Sequence, residues 1–188
     1  MIEQEIQNAL NILRAGGTIL YPSDTLWGIG CDAVNKNAVE KVFQIKQRIE
    51  SKGLIVLVSD EGMLNRFVKN IPAIAWDLLE AADTPFTIIY DEPRGIANNI
   101  LAEDGSVGIR IVKDEFCKKL IYKFGKPIVS TSANISGAKA PKKYDDISNE
   151  IKNQVDYIVN WRQNEFNNAY PSSIIKLKSN GEFQIIRK

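Results

Sequence analysis

The sequence predicts an α/β fold, a single-domain twisted open sheet of mixed parallel and antiparallel strands with flanking helices. Three observations predict it. Apolar runs of strand length recur between stretches of helical period. The run Leu54-Ile55-Val56-Leu57-Val58 is apolar at every position, as a central strand covered on both faces requires. The chain closes on two strand-like runs joined by Ser179-Asn180-Gly181, and Asn-Gly is a strong hairpin signal, so antiparallel pairing accompanies the interleaved helices and strands.

Taken in order, Ile2, Ile6, Leu10 and Leu13 fall on one helical face, and Gly16-Gly17 stops that helix. Residues 18–21 read as a short strand. A second helix is expected over 37–48, with Ala38, Val42 and Ile45 inward and Asn35 or Asn37 as its cap. The strand at 54–58 follows, then short helices near 60–68 and 72–81, where Pro72 suits a first turn. Residues 86–90 and 107–111 read as strands. Residues 114–124 read as a helix capped by Asp114 and closed by Gly125. A strand at 127–131 opens into a polar loop, 132–141. A helix is expected over 144–153 and strands over 155–159, 173–177 and 183–187. No repeat, low-complexity tract or linker interrupts the 188 residues, so 1–188 read as one domain.

Composition narrows the chemistry. With 24 basic and 23 acidic residues, binding nucleic acid through overall basicity is excluded, although a local basic stripe is not. The chain has no histidine, which excludes a Ser-His-Asp triad, a Cys-His pair and a histidine-ligated zinc. Cys31 and Cys117 are too far apart for a Cys-x-x-Cys motif. The acidic, polar start does not read as a signal peptide, and the apolar runs are too short to span a bilayer. The expected location is the cytoplasm, without a membrane partner.

Four segments carry groups that bind or activate ligands. The loop Tyr21-Pro22-Ser23-Asp24-Thr25-Leu26-Trp27-Gly28-Ile29-Gly30 leaves a strand end, where ligands sit in open α/β sheets. The same residues also suit a plain turn, with Ser23 and Asp24 bonding their own backbone. No P-loop pattern occurs anywhere. Lys46-Gln47-Arg48, with Lys52 beyond, reads either as a phosphate clamp or as cations complementing a helix C-terminus, and spacing alone favours the latter. Ser130-Thr131-Ser132-Ala133-Asn134-Ile135-Ser136-Gly137 breaks a buried strand into a run of hydrogen-bonding groups, a nucleotide site or a polar surface loop. The fourth group is scattered: Ser173 at a strand start, Arg187 near the end, and Arg110 in mid-strand, facing away from Ile109 and Ile111.

In this order the segments resemble the YrdC/TsaC family of L-threonylcarbamoyladenylate synthases, in its short single-domain form. The family's first loop is matched by Pro22-Ser23-Asp24-Thr25, Gly28 and Cys31-Asp32-Ala33. Its Lys-x-Arg is Lys46-Gln47-Arg48, its Gly-x-Arg strand is Gly108-Ile109-Arg110, and its Ser-x-Asn is Ser132-Ala133-Asn134. Its last strands are matched by Pro171-Ser172-Ser173-Ile174-Ile175 and Ile186-Arg187. The match runs from Gly16 onward. Trp27 stands where tyrosine is usual and Ile49 where a proline is. Thr84-Pro85-Phe86-Thr87 replaces a Pro-Gly-Pro-x-Thr segment, and Leu57 lies near the place of a frequent histidine.

The resemblance implies a YrdC-like fold with a central ligand groove and a nucleotidyltransferase. The enzyme would join L-threonine, bicarbonate or CO2, and ATP into threonylcarbamoyl-AMP, releasing pyrophosphate. It implies Lys46 and Arg48 as catalytic phosphate holders, with Lys52, Ser132, Asn134, Lys142 and Arg187 also on ATP. Thr25, Arg110, Ser132 and Ser173 would hold L-threonine. No protein metal site is implied, since Mg2+ arrives with ATP. Residues 137–143 are the expected lid. The product would pass to threonylcarbamoyl-transfer proteins that modify tRNA. Three other readings stand beside it. One is a paralogue that binds nucleotide without making product. Another is a carbamoyl-adenylate domain of the hydrogenase-maturation type. The third is an RNA-binding module using Lys46, Arg48, Lys52, Lys139, Lys142 and Lys143.

Overall fold

Among the described residues of the computed structural model, 1–47, 54–165 and 170–188, nine strands form one sheet. They are β1 (Ile19–Tyr21), β2 (Gly28–Gly30), β3 (Ile55–Val58), β4 (Phe86–Tyr90), β5 (Val107–Ile111), β6 (Ile128–Ser132), β7 (Tyr157–Ile158), β8 (Ser173–Leu177) and β9 (Phe183–Arg187). Across the sheet they run β7-β1-β2-β6-β3-β5-β4-β8-β9. The pairs β1–β7, β3–β5 and β4–β8 are parallel, and the other neighbours are antiparallel. This is the mixed open sheet the sequence predicts.

Six helices accompany it: α1 (Ile2–Arg14), α2 (Lys36–Lys46), α3 (Glu61–Phe67), α4 (Ala73–Ala81), α5 (Glu115–Phe124) and α6 (Asn149–Gln154). The apolar stripe of α1 (Ile6, Ala9, Leu10 and Leu13) is buried, and α1 packs against α5. Helices α3 and α5 lie against β3. The expected caps form, Asn35 accepting from the Asn37 and Ala38 amides and Asp114 from Cys117, and Asp60 adds another by accepting from Met63. Each such cap is worth about 1 kcal/mol. No helix among the described residues is long and apolar enough to cross a membrane.

The structure departs from the expected elements in three places. Helix α2 ends at Lys46 because Gln47 turns into the left-handed region, at φ 49°. The loop after β1 contains a strand, β2, built from Gly28-Ile29-Gly30. Its glycines permit a close approach, since a Cβ on Gly30 would sit 2.8 Å from the Val129 carbonyl oxygen and 2.7 Å from the Tyr21 ring. The helix expected over 144–153 is broken: Tyr144–Asp146 forms a 3-10 turn, and the Ser148 side chain caps a fresh start at α6.

Strand alternation then divides the sheet. Thr87 and Ile89 of β4, Gly108 and Arg110 of β5, and Ile174 of β8 face one cleft. Phe86 of β4 and Ile111 of β5 face a different one, lined also by residues of α3, α4 and α5.

Candidate functional site

The first cleft, of about 480 Å³, gathers residues from seven separated parts of the chain. Its floor is β4 and β5, where Gly108 keeps the surface low: a Cβ there would meet Thr87 at 3.2 Å. The loop between β1 and β2 supplies Thr25 and Trp27, the end of β6 supplies Ser130, Ser132 and Asn134, and the last two strands bring Ser172 and Arg187.

Burial makes the charges here informative. Among the described residues the buried charged side chains are Asp32, Lys46 and Arg110, each under 5% exposed. Asp32 is structural, accepting from the Val34 amide and pairing with Lys126. The other two belong to the cleft or its wall. Lys46, the last residue of α2, reaches across to β6, where its Nζ donates to the carbonyls of Ser132 at 2.5 Å and Asn134 at 2.7 Å. The Ser136 amide returns a bond to the Lys46 carbonyl at 2.8 Å. The helix end and the Ser132–Asn134 bend are thus one unit, although 86 residues separate Lys46 from Ser132.

Arg110 is held on the floor. Its Nη2 lies 3.1 Å from Asp24 Oδ1 and donates weakly to Thr25 Oγ1 at 3.4 Å. The contact with Asp24 is an ion pair outside hydrogen-bonding angles, so Arg110 Nε and Asp24 Oδ1 are both buried without a hydrogen bond. Asn134 Oδ1 is likewise buried without a hydrogen bond, while its amide Nδ2 donates to Ala138 at 2.7 Å. Orphaned polar atoms of this kind are few in folded proteins, and a ligand is one of the reasons for them; a fourth, Asn99 Oδ1, lies outside the cleft. Arg187 donates from Nε to the Ser172 carbonyl at 2.9 Å. Burial, and then the positive charge of Arg110, lower its pKa. Trp27 puts an aromatic ring on the wall and is backed by the Tyr144 ring at 5.1 Å, with Lys152 over Tyr144 at 4.3 Å.

The sequence-predicted residues fall into three groups. Thr25, Arg110, Ser132, Asn134 and Arg187 line the cleft, and Lys46 buttresses its wall from behind. Lys142 is exposed and off the wall, although Ala138 and Ala140 of its loop are on it. Arg48 and Lys52 lie outside the described residues. Ser173 is off the cleft wall, and its neighbour Ser172 is on it. Alternation along β8 turns Ser172 and Ile174 into the cleft and Ser173 to the other face, where its amide bonds Pro85. Ser172 instead shares a 2.8 Å hydroxyl contact with Thr87, both buried on the cleft side. A residue-by-residue pattern could have found Ser172 only with the strand's phase known. The two cysteines are buried and free, and burial pushes both thiols above their usual range, so neither is a nucleophile.

The arrangement suits a ligand with anionic groups and a flat ring system: buried cations, uncommitted amide and guanidinium atoms, small hydroxyls and an aromatic wall. Among the described residues it contains no activated nucleophile, and the chemistry these residues support is positioning and charge stabilisation.

Comparison with known proteins agrees. Residues 11–188 match the Sua5/YciO/YrdC family model, whose description is "Telomere recombination". A threonylcarbamoyl-AMP synthase of Pseudoalteromonas translucida is 31% identical over 160 residues, 84% of this chain and 86% of the relative. A protein of the same name from Vibrio cholerae is 30% identical over 159 residues, 83% of this chain and 85% of the relative. The structure of P. abyssi Sua5 complexed with L-threonine matches with a TM-score of 0.81 and 25% identity. The match covers 92% of this chain and 50% of that one, so the chain spans about half of the P. abyssi protein. E. coli YciO matches with a TM-score of 0.85 over all of this chain and 90% of its own, a likeness of fold at 22% identity.

Proposed function

The chain belongs to the Sua5/YciO/YrdC family, and on that premise we propose that it is a transferase that makes threonylcarbamoyl-AMP from L-threonine, bicarbonate or CO2, and ATP. The observation that carries the proposal is Arg110: a guanidinium buried on the cleft floor whose Nε has no hydrogen-bond partner, beside small hydroxyls. That is a receptor for a carboxylate next to a polar side chain.

The chemistry has two steps. The threonine amine adds to CO2, forming a carbamate and losing a proton. A carbamate oxygen then bonds to the α-phosphorus of ATP as pyrophosphate leaves. Neither step needs a protein nucleophile, in keeping with a site of fixed donors. In this reading Arg110, Thr25 and Ser132 hold threonine, with Ser172 taking the place expected for Ser173. Asn134, Ser132 and Arg187 line the nucleotide side. Lys46 stiffens the Ser132–Asn134 bend and lends positive charge to the departing phosphates. Arg48, Lys52 and Lys142 remain proposed ATP contacts, and Mg2+ enters with the triphosphate as part of the substrate. The adenylate would then pass to proteins that transfer the threonylcarbamoyl group to tRNA.

Pyrophosphate release from ATP by the purified chain tests this. Release is expected only with L-threonine and bicarbonate together. Release that ignores threonine would reject the substrate assignment.

A further inference from the structure

We infer that Asp24 is a positioning residue for carboxylate recognition, holding the Arg110 guanidinium through Nη2 so that Nε keeps its hydrogen bond for the ligand; the inference rests on reading the cleft as an L-threonine site. Asp24 does not line the cleft. It lies behind Arg110, its side chain only 10% exposed, and reaches the guanidinium through Nη2 at 3.1 Å. Its second oxygen accepts from the Lys113 amide at 3.5 Å, three residues past Arg110 and just beyond the end of β5. The carboxylate and the guanidinium it holds are therefore referred to one strand.

Three features separate this pair from a structural ion pair. A structural pair buried this deeply would have its donors and acceptors satisfied, because orphaned polar atoms are costly in low dielectric. Here Arg110 Nε and Asp24 Oδ1 both lack a hydrogen bond, which leaves Arg110 a donor for an arriving carboxylate. Second, Asp24 engages the guanidinium at Nη2, leaving Nε uncommitted. Third, Arg187 lines the same cleft, and burial and then the charge of Arg110 disfavour its protonated form. A fixed negative charge behind Arg110 opposes that repulsion and keeps the guanidinium in place before the ligand arrives. Asp24 thereby acts on the ligand through Arg110.

The test is the affinity of the purified full chain for L-threonine and for L-threoninamide, which lacks the carboxylate, followed by ligand-observed NMR titration. Asp24→Asn keeps the shape and removes the charge. It is expected to weaken L-threonine at least tenfold while changing L-threoninamide and ATP less than about twofold. Equal weakening of threonine and threoninamide, or unchanged threonine affinity, overturns the inference and leaves the cleft assignment standing. A wild-type chain that binds no threonine overturns both. If Asp24→Asn melts before it can be titrated, Asp24→Glu retains the charge but displaces it by one methylene. Several-fold weaker threonine binding is then expected, with threoninamide unchanged. Wild-type threonine affinity in that variant overturns the positioning role.

Discussion

Two clefts lie against β4 and β5, and the larger one is the poorer candidate. The second cleft holds about 740 Å³, against about 480 Å³ for the first. It is bordered by Trp76 and Leu79 of α4, Phe86, Ile111, and the charged residues Glu61, Glu80, Lys113 and Lys118. Its chemistry is nonetheless settled without a ligand. Asp60 is committed to capping α3, and Ser59 bonds to Asp60. Lys113 Nζ donates to the Ala82 carbonyl. Glu61, Glu80 and Lys118 are exposed to water. In the first cleft a cation is buried on the floor, another braces the wall, and atoms of Arg110 and Asn134 are left without hydrogen bonds. Volume measures room, whereas buried and incompletely satisfied polar groups show where a ligand completes the structure.

The contrast is sharpest at Lys46. Lys46→Ala removes two bonds to the Ser132–Asn134 bend and a buried positive charge. Its rate of threonine-dependent pyrophosphate release should fall about 10²–10³-fold, the scale for losing one preorganised charge-stabilising group. Circular dichroism should still report a folded chain. Next comes Arg110→Met, expected to weaken L-threonine about 10–100-fold, equivalent to one charge-assisted hydrogen-bonding group, with ATP affinity held within about threefold. Equal losses for both ligands would make Arg110 a structural residue and erase the distinction between the clefts.

The second cleft should behave oppositely. Trp76→Ala removes a half-buried aromatic ring from α4, so melting should fall by about 3–6 °C while activity stays within about twofold. A large activity loss at an unchanged melting temperature would give that cleft the function denied to it above. The smallest effect is expected outside both clefts, where Lys176 pairs with Asp104. Bonds from Lys176 and then Ser106 hold the Asp104 carboxyl well below the usual carboxylate range. A folded-state pKa below the unfolded one means that the contribution is present at neutral pH. It begins to fade as pH falls below about 4. The pair is half-exposed, so Asp104→Asn should cost about 0.5 kcal/mol or less at pH 7 by denaturant melts, with the difference from wild type gone in strong acid.

How much of this was legible in the sequence depended on which physical signal dominated locally. The strands at 86–90, 107–111, 173–177 and 183–187 have the bounds their apolar and β-branched runs announce. Asn35, Asp60 and Asp114 sit where capping chemistry puts them. Strand β2 was not legible, because glycine-rich Gly28-Ile29-Gly30 looks like a turn until Tyr21 and Val129 are found pressed against it. Nor was the break at Ser148, where side-chain capping overrides a helical period. In the cleft, the family pattern brought Thr25, Lys46, Arg110, Ser132, Asn134 and Arg187 together. It named Ser173, whereas Ser172 is the serine on the cleft wall, because phase along a strand depends on neighbours that the sequence does not display. Asp24 was visible as part of a motif, but its grip on Arg110 joins residues 86 positions apart and is a tertiary fact.

A crystal soaked with ATP and L-threonine gives the most direct test of where the chemistry sits. Electron density for threonine or its adenylate is expected on the Gly108–Arg110 face, with the carboxylate on the Arg110 guanidinium. Density beneath α4, between Trp76 and Lys113, would contradict that placement.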